Sequence, residues 1–511
     1  MTTINGLSKK VLLVILDGFG VTTADHQNAI KHAHTPNLDH LFKNYPYTNI
    51  TAGGELVGLP KGVCGNSEVG HMNLGSGRAV RQDLVRINEA IANNTFADLE
   101  KFKELILKAR NNTKRIHLMG LLSDGGVHAH IDHIKKIVEL LNQEKDLSVY
   151  FHAFMDGRDT PRDSGEKYIK ELEEMPGVTL ASIQGRSIGM DRDRRWEKIA
   201  LAYNTFVGLG TIVERDAIEY LREQYATGKY DEFIDPLLFN KDYAIKQDDC
   251  VFFVNYRPDR AIQLALAFNL PNFKEFNIPI KPAYFLCMSP YIQEEVELPV
   301  LFDKEKIKGG LSEYLSGMGY KQYKIAETEK YAHVTYFYNG GEKGPFPGEK
   351  HVLVPSPKEV ETYDLKPEMS APEVTDKLVD ALDSEQFDYY LVNYANSDMV
   401  GHTGNYAAAV KAIETLDRVV QRLMDKCSEK DITMLLTADH GNSDQMAYAD
   451  GNPHTSHTNA QVPFVLFNKL VEHQKYSIAL TAAALKDVAP TVLAIMGVAR
   501  PTSFTGQPIF N

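Results

Sequence analysis

Short apolar runs of strand length alternate along this chain with longer segments in which apolar residues recur every three or four positions. The segments VLLVILDGFG, FDYYLVNYANSD and DITMLLTADHGNSD each hold an apolar run that ends in polar residues, as buried strands do. The segment AAAVKAIETLDRVVQRLMDKC, between the last two, has the spacing of an amphipathic helix. This alternation predicts an α/β architecture with a mostly parallel sheet.

Acidic side chains stand where these predicted strands end. Asp17, Asp398 and Asp439 each follow an apolar run. In open α/β sheets, ligands bind beyond the carboxyl ends of the strands. The sequence therefore predicts a binding site that these three carboxylates share.

The middle of the chain has predicted strands of its own, in RIHLMGLLSDGG, LSVYFHAFMDGRD, GVTLASIQGRS and DDCVFFVNYRPDR. These strands end in polar or basic groups rather than in pairs of acidic groups. The shift predicts a second α/β domain inserted into the first, with hinges near residues 76 and 309. We expect a discontinuous domain over 1–76 and 310–511 and an inserted domain over 77–309, since 511 residues suit two or three domains.

Composition narrows the class of protein. The chain has 43% hydrophobic and 24% charged residues, which is ordinary for a soluble globular protein. Its net charge of −13 argues against a general nucleic-acid binder. The four cysteines are scattered, which suits a reducing compartment, and no apolar segment reaches the roughly 18 residues of a membrane span. We expect a cytoplasmic protein without nucleic-acid or membrane partners.

Carboxylates and imidazoles gather at the predicted strand ends. Asp398 and His402 are four residues apart, so one helical turn would place both on one face, and Asp439 and His440 are adjacent. With Asp17 they form a mixed set that suits Zn²⁺ or Mn²⁺, whereas Ca²⁺ and Mg²⁺ prefer oxygen ligands. Six or seven ligands exceed one tetrahedral site, so the set predicts two ions. Spacing alone leaves open which histidine of the loop GNPHTSHTN is a ligand, His454 or His457.

The segment GNSEVGH holds Ser67 between glycines, after a strand-like segment. At a helix N-terminus, free N–H groups and the helix dipole would favour an arriving phosphate. Two nearby cations would polarise a phosphoryl group and lower the pKa of the serine hydroxyl. These features predict Ser67 as the nucleophile of a phosphoryl transfer. Cys64 is the alternative nucleophile, although a thiolate would carry phosphate poorly between oxygen acceptors.

Arginines follow the predicted strands of the inserted domain. Guanidinium groups bind carboxylate and phosphate in bidentate fashion, so these side chains predict a site for a small anionic acid. We expect His128, in SDGGVHAHIDH, to face that substrate and Lys330, in AETEKYAHVTYFYNGG, to neutralise a transferring phosphate. The arginines are Arg158, Arg186, Arg192, Arg257 and Arg260.

A series of motifs carries a resemblance to a known family: LDGFG, GNSEVGH, SDGGVHAH, DGRDT, GMDRDRRW, RPDRA, AETEKYAHVT, NSDMVGH, TADHGN and HTSHT. From residue 11 nearly to the C-terminus, the sequence resembles the cofactor-independent phosphoglycerate mutases of the bacterial two-manganese type. The metal motifs alone would indicate only the alkaline phosphatase superfamily. The central motifs select the mutases.

The resemblance implies an alkaline-phosphatase-like fold and the interconversion of 3-phosphoglycerate and 2-phosphoglycerate in glycolysis and gluconeogenesis. It implies two Mn²⁺ ions, one held by Asp398, His402 and His457 and the other by Asp17, Ser67, Asp439 and His440. The choice of His457 comes from the family rather than from the spacing. The implied substrate-binding residues are His128, Arg158, Asp159, Arg186, Arg192, Arg257, Arg260 and Lys330.

The family's mechanism would pass the phosphoryl group through Ser67 and return it to the other hydroxyl of a glycerate held by the inserted domain. Asp159 would accept a proton on the glycerate side, and closure of the domains would exclude water. The Arg-His-Gly motif of the other mutase class is absent from the sequence, which implies that no 2,3-bisphosphoglycerate is needed. We expect a monomer. The alternatives are a phosphopentomutase or a phosphatase of the same superfamily and a non-catalytic scaffold that binds metal or anions.

Overall fold

The computed structural model describes residues 7–292, 296–304, 307–471 and 477–511. The chain divides into two compact units, Met1–Gln82 with Lys306–Asn511, and Asp83–Glu305. Each unit is built on its own sheet of mostly parallel strands, so the predicted α/β fold class is confirmed. The hinges predicted near residues 76 and 309 stay predictions.

The elements are numbered here in chain order. The strands are β1 (Val11–Leu16), β2 (Tyr47–Ile50), β3 (Arg115–Leu121), β4 (Ser148–Met155), β5 (Val178–Gly185), β6 (Leu237–Leu238), β7 (Cys250–Phe253), β8 (Tyr284–Cys287), β9 (Gln322–Glu327), β10 (Glu349–Val354), β11 (Tyr389–Tyr394), β12 (Thr433–Thr437) and β13 (Val462–Phe467). The α-helices are α1 (Ala29–His32), α2 (Pro36–Asn44), α3 (Ser67–Ser76), α4 (Asp83–Ala92), α5 (Glu100–Asn111), α6 (Ile131–Asn142), α7 (Gly165–Glu173), α8 (Arg186–Gly189), α9 (Trp196–Phe206), α10 (Ala217–Ala226), α11 (Ile262–Asn269), α12 (Leu311–Gly317), α13 (Thr328–Ala332), α14 (Ala371–Ser384), α15 (Asn396–Gly401), α16 (Tyr406–Lys430) and α17 (Val488–Met496).

The sheet of the first unit has the order β10-β9-β11-β1-β12-β13-β2. Its first five strands are parallel, and β13 runs antiparallel to both of its neighbours. β1 lies at the centre and is buried along its whole length, which is why it can be apolar at every position. Leu16 pairs with Tyr394, and Ile15 pairs with Thr437. The segments that follow β1, β11 and β12 therefore start at the same edge of the sheet.

The sheet of the second unit has the order β6-β5-β4-β3-β7-β8, and only the short β6 is antiparallel to its neighbour. The arginine-bearing segments follow β4, β5 and β7. They therefore share the carboxyl edge of this sheet, as the sequence pattern predicts. In the described ranges, no helix combines the length and the apolar character that crossing a membrane requires.

Helix α3 begins at Ser67, and close packing explains the glycines of its motif. Asn66 caps the helix by accepting a hydrogen bond from the Val69 N–H at 3.0 Å. A Cβ on Gly70 would lie 2.8 Å from the Cβ of Asp439, closer than two carbon atoms can approach. Glycine therefore lets the first turn of the helix lie directly against the end of β12.

Candidate active site

The acidic residues predicted at strand ends lie together in the first unit. Asp17 follows β1, Asp398 lies in α15 after β11, and Asp439 and His440 follow β12. All four side chains are buried. Ser67 Oγ lies 2.9 Å from His440 Nε2 and 3.3 Å from Asp17 Oδ1. The structure thus brings the predicted nucleophile next to two of the predicted metal ligands.

The buried ammonium group of Lys330 lies between this serine and two carboxylates. Its Nζ donates to Ser67 Oγ at 2.8 Å, to Asp17 Oδ1 at 2.8 Å and to Asp398 Oδ2 at 2.7 Å. Burial opposes the charge, but Asp17 and Asp398 outweigh it and raise the pKa of Lys330 far above its ordinary value. These contacts place a positive charge between the Ser67 hydroxyl and the two carboxylates.

The imidazole rings of two histidines, His402 and His457, also lie close to Asp398. The Nε2 atoms of His402 and His457 lie 3.1 Å and 3.4 Å from Asp398 Oδ1 and 3.1 Å from each other. Their Nδ1 atoms lie 2.8 Å from the Thr455 carbonyl and 3.0 Å from the Gly65 carbonyl. A carbonyl only accepts, so each Nδ1 carries the proton and each Nε2 lone pair points into the site. Convergent lone pairs beside a carboxylate oxygen are an arrangement of metal ligands.

The centre holds more buried negative charge than Lys330 compensates. Burial, followed by the charge of Asp439, raises the pKa of Asp17. Asp439 Oδ2 is buried and lies 3.2 Å from His71 Nδ1, but outside hydrogen-bonding geometry, and no donor from the described residues satisfies it. A buried carboxylate oxygen without a donor is costly, and a bound cation would satisfy it. The residues of this centre therefore fit divalent ions.

Two groups of side chains bring potential ligand atoms within 4.8 Å of one another. Their nitrogen and oxygen atoms suit Mn²⁺ or Zn²⁺ better than Ca²⁺ or Mg²⁺. His71 belongs to neither of the predicted ligand sets. The groups are Asp398 with His440 and His457, and Asp17 with His71 and Asp439.

The loop after β12 separates its two histidines. His457 reaches Asp398, whereas the ring of His454 packs edge-to-face against Tyr448 with the centroids 4.7 Å apart. Within the described part of the chain, the buried Nδ1 of His454 has no hydrogen-bond partner. Spacing could not distinguish the two residues, because both lie in one irregular loop.

Two supporting residues were not predicted from the sequence. Asn393 Nδ2 donates to Asp17 Oδ2 at 2.7 Å, and His71 Nδ1 donates to the Ser67 carbonyl at 2.8 Å. A signal for Asn393 existed, since it is the one amide in the strand sequence YYLVNY. His71 is the last residue of the GNSEVGH motif, four residues after Ser67, and therefore lies on the same face of α3.

In the second unit, a buried carboxylate organises the predicted arginine site. Arg186, which is 2% exposed, donates from Nη1 to Asp156 Oδ1 at 2.6 Å and to Asp159 Oδ2 at 2.5 Å. Asp156 also accepts from the Arg158 and Asp159 N–H groups at 3.2 Å and 2.9 Å, and from Ser123 Oγ at 2.6 Å. Asp156 was not predicted, although it is the first residue after β4. It ties the ends of β3, β4 and β5 together.

The carboxylate of Asp259 lies near three more of the residues predicted to bind the substrate. It lies 3.2 Å from Arg192 Nη1, 3.1 Å from Arg257 Nε and 3.6 Å from His128 Nδ1. Burial, followed by the charge of Arg186, lowers the pKa of His128 to about 4. The His128 ring is therefore neutral near pH 7 and can exchange hydrogen bonds with an anionic ligand without adding charge.

The guanidinium groups repel one another where they converge. Burial, followed by the positive charges of the neighbouring arginines, lowers the pKa of Arg260. Arg158 is 54% exposed, and its Nη1 lies 3.5 Å from Glu232. A bound anion would relieve the repulsion, so this edge of the sheet fits a small acid. The neighbours that lower the pKa of Arg260 are Arg192, Arg186 and Arg158.

Comparisons with known proteins agree on the family to which this chain is similar. The profile of the Metalloenzyme superfamily matches residues 9–500. The chain is 46% identical to a 2,3-bisphosphoglycerate-independent phosphoglycerate mutase of Clostridium beijerinckii, over 98% of this chain and 99% of the relative. It is 45% identical to the protein of that name from Francisella tularensis subsp. novicida, over 99% of each chain.

A solved structure agrees with the sequence relatives. A crystal structure of Leishmania mexicana phosphoglycerate mutase superposes with a TM-score of 0.68 at 30% identity, over 100% of this chain and 99% of that one. The likeness thus covers both compact units and the segments that carry the site residues. The chain therefore belongs to the 2,3-bisphosphoglycerate-independent phosphoglycerate mutases, a family of isomerases within the Metalloenzyme superfamily.

Proposed function

We propose that this chain interconverts 3-phosphoglycerate and 2-phosphoglycerate through a phosphoserine formed on Ser67, at a centre that binds two Mn²⁺ ions. The observation that carries the proposal is the position of Ser67 Oγ, 2.9 Å from His440 Nε2 and 2.8 Å from Lys330 Nζ. A buried hydroxyl between an imidazole and an ammonium group is placed to lose a proton and to meet a phosphoryl group.

The assignment of ligands is the one that the family resemblance implies, although His440 also brings a ligand atom within 4.8 Å of those of Asp398 and His457. Bound Mn²⁺ would supply positive charge that lowers the pKa of the Ser67 hydroxyl and polarises the phosphoryl group. The unsatisfied Asp439 Oδ2 and the inward lone pairs of His402 and His457 support this assignment. One ion would be held by Asp398, His402 and His457, and the other by Asp17, Ser67, Asp439 and His440.

In the first half of the reaction, Ser67 Oγ gives up its proton and forms a bond to phosphorus. The bond between phosphorus and the glycerate oxygen breaks, and that oxygen takes up a proton. Lys330 remains protonated because Asp17 and Asp398 raise its pKa, so it stabilises the charge of the phosphoryl oxygens throughout the transfer. The first unit thus supplies the nucleophile and the charge.

We assign the glycerate to the arginine edge of the second unit. Five arginines there and the neutral His128 offer donors for a carboxylate and two hydroxyls, and the lowered pKa of Arg260 supports an anion as the partner. The glycerate would turn while it remains bound. Its other hydroxyl would then give its proton to Asp159 and form a bond to phosphorus, while the bond between phosphorus and Ser67 Oγ breaks and Oγ takes up a proton again.

Because the phosphoryl group returns to the glycerate that brought it, no 2,3-bisphosphoglycerate primer enters this scheme. The substrate is a small molecule, and we propose that the chain acts as a monomer in the cytoplasm. The four cysteines are free thiols in the described part of the chain, which is compatible with a reducing compartment.

The test is turnover of 3-phosphoglycerate without added bisphosphoglycerate, with the products followed by ³¹P NMR and the bound metal measured by mass spectrometry. We expect 2-phosphoglycerate as the product, two Mn²⁺ per chain, and a phosphate label on Ser67 after acid quench. The Ser67→Ala variant should bind 3-phosphoglycerate and form neither label nor product. Inorganic phosphate as the main product of the parent protein would replace the mutase proposal with a phosphatase.

A further inference from the structure

A buried pair of side chains, His71 and Asn393, lies behind the nucleophile. Both residues are 0% exposed. His71 Nδ1 lies 2.8 Å from the Ser67 carbonyl, and His71 Nε2 lies 3.0 Å from Asn393 Nδ2. Asn393 Nδ2 lies 2.7 Å from Asp17 Oδ2. The contacts form one continuous path from the backbone of Ser67 to the carboxylate of Asp17.

The hydrogen bonds at the two ends determine where the protons lie. A carboxylate oxygen only accepts, so the Asn393 atom that faces Asp17 is the amide nitrogen, and its second hydrogen points to His71 Nε2. Nε2 must therefore accept. At the other end the Ser67 carbonyl also accepts, which places the ring proton of His71 on Nδ1. The contacts at both ends therefore place a proton on Nδ1 and a lone pair on Nε2.

This protonation pattern separates His71 from the metal ligands. A metal-binding imidazole presents a free lone pair, as His402 and His457 do. His71 has none to present, because Nδ1 carries the proton and the Nε2 lone pair is occupied by Asn393. His71 therefore lies close to Asp17 and Asp439 as a supporting residue and not as a metal ligand.

We propose that His71 and Asn393 are positioning residues that act as one bridge, which fixes the Ser67 backbone and the Asp17 carboxylate relative to each other. The inference rests on the proposed function, since it assigns these residues to the ion site that contains Ser67. With Asp17 Oδ2 held by Asn393, Asp17 Oδ1 faces Ser67 Oγ at 3.3 Å.

The position of each residue supports a rigid bridge. His71 lies one helical turn after Ser67 in α3, so its ring reaches back to the carbonyl of the first turn. The His71 ring also lies beside the ring of His333, with the centroids 5.4 Å apart. Asn393 lies in β11, between β9 and the central β1.

The test measures Mn²⁺ binding by the whole chain, using the EPR signal of free Mn²⁺ during titration. We expect His71→Leu and Asn393→Leu each to weaken one of the two Mn²⁺ sites by about 10- to 100-fold, the usual effect of removing an outer hydrogen bond to a ligand. The matched control is His454→Leu, which replaces another largely buried histidine of the same unit and should bind as the parent does.

Two further variants separate a bridge from general damage to the fold. The double variant His71→Leu/Asn393→Leu should bind Mn²⁺ about as weakly as the weaker single variant, because either substitution already breaks the path. His71→Asn keeps a donor near the Nδ1 position but does not reach Asn393, so it should bind Mn²⁺ as weakly as His71→Leu. Additive losses in the double variant, or parent-like binding in His71→Asn, would overturn the bridge.

A spectroscopic measurement decides between support and ligand. Pulsed EPR of the Mn²⁺-loaded chain should show the same directly bound nitrogens in His71→Leu as in the parent, and loss of one of them would make His71 a ligand. Thermal unfolding of the metal-free variants shows whether each variant is folded. If His71→Leu does not fold, Asn393→Leu and His71→Asn test the bridge in its place. Parent-like binding in every bridge variant overturns this inference alone. A parent chain that binds no Mn²⁺ overturns the proposed function instead.

Discussion

The ammonium nitrogen of Lys330 lies 2.8 Å from the hydroxyl oxygen of Ser67, and the same nitrogen bridges the carboxylates of Asp17 and Asp398. One side chain thus contacts the proposed nucleophile and one carboxylate from each proposed ion site. Because these carboxylates keep it protonated, Lys330 contributes a fixed positive charge rather than a proton. Its loss should therefore impair catalysis without weakening metal binding.

Substitution Lys330→Met should lower kcat by about 100- to 1000-fold, as removal of one stabilising donor from a transition state does. The affinity for Mn²⁺ should not fall, because Asp17 and Asp398 lose a competing cation. Steady-state rates and the EPR titration of Mn²⁺ measure the two effects on one preparation. Lys350→Met, in the edge strand β10, is the control and should leave both quantities unchanged. If metal is lost in parallel with activity, Lys330 has a structural role in the centre instead.

Substitution Asp439→Asn should reduce the metal content below two ions per chain, although the side chain changes little in size. The amide removes a negative charge from the oxygen that lacks a donor, and it presents an N–H where a cation is expected. Metal content is measured by mass spectrometry after gel filtration. Asp444→Asn is the matched control, because Asp444 is also buried but accepts from Thr458 Oγ1 at 2.9 Å. A fully loaded, inactive Asp439→Asn protein would remove Asp439 from the ligand set.

The stabilisation of the chain by Mn²⁺ should increase as the pH rises from about 6 to 8. The hydrogen bond with Asp398 raises the pKa of His402, and Asp398 raises the pKa of His457 against the opposing effect of burial. In the metal-free chain these pairs therefore stabilise the fold at low pH, and that contribution is lost as the pH rises through the raised pKa values. Metal needs both rings neutral, so its contribution changes in the opposite direction.

Thermal unfolding with and without Mn²⁺, at fixed ionic strength, measures this difference. The increase in unfolding temperature on adding Mn²⁺ should be small at pH 6 and large at pH 8. The variant His457→Gln should reduce the dependence on pH. An increase that is equal at both values would mean that these two imidazoles do not bind the ion.

The carboxylate cluster could be predicted from the sequence because the end of a buried strand is visible as a change from apolar to polar residues. Parallel strands then bring such ends to one edge, as they do for Asp17, Asp398 and Asp439. The bridge could not be predicted in this way. Asn393 faces Asp17 because β11 is the neighbour of β1, and more than 370 residues separate the two in the chain.

Burial was the second property that the sequence did not determine. Arg158 and Arg186 both follow strands and both stand next to polar residues, yet the first is 54% exposed and the second 2% exposed. The difference arises from Asp156, whose carboxylate accepts from the Arg186 side chain but from the Arg158 backbone. An arginine held by two carboxylates is part of the unit, whereas an exposed one is available to a ligand.

Because Arg158 is exposed and Arg186 is buried, substitution of Arg158 tests the arginine site more specifically than substitution of Arg186. Arg186→Ala would leave Asp156 and Asp159 without their cation and disturb the unit itself, since breaking a buried pair exposes the remaining charge to an apolar interior. Arg158→Ala leaves that pair intact. Its effect should therefore report the loss of a ligand contact.

If Arg158 binds the glycerate, its loss should let glycerate escape from the phosphoserine form of the chain. A charge-assisted contact contributes about 1.5–3 kcal/mol, and each 1.4 kcal/mol is tenfold, so escape should increase by about one to two orders of magnitude. Water would then compete for the phosphoserine. Arg158→Ala should therefore yield a raised ratio of inorganic phosphate to 2-phosphoglycerate, while Ser67→Ala yields neither product. Arg162→Ala is the control, because Arg162 packs over the Tyr230 ring at 4.1 Å. An unchanged product ratio in Arg158→Ala, however slow the variant, would show that Arg158 does not retain the glycerate.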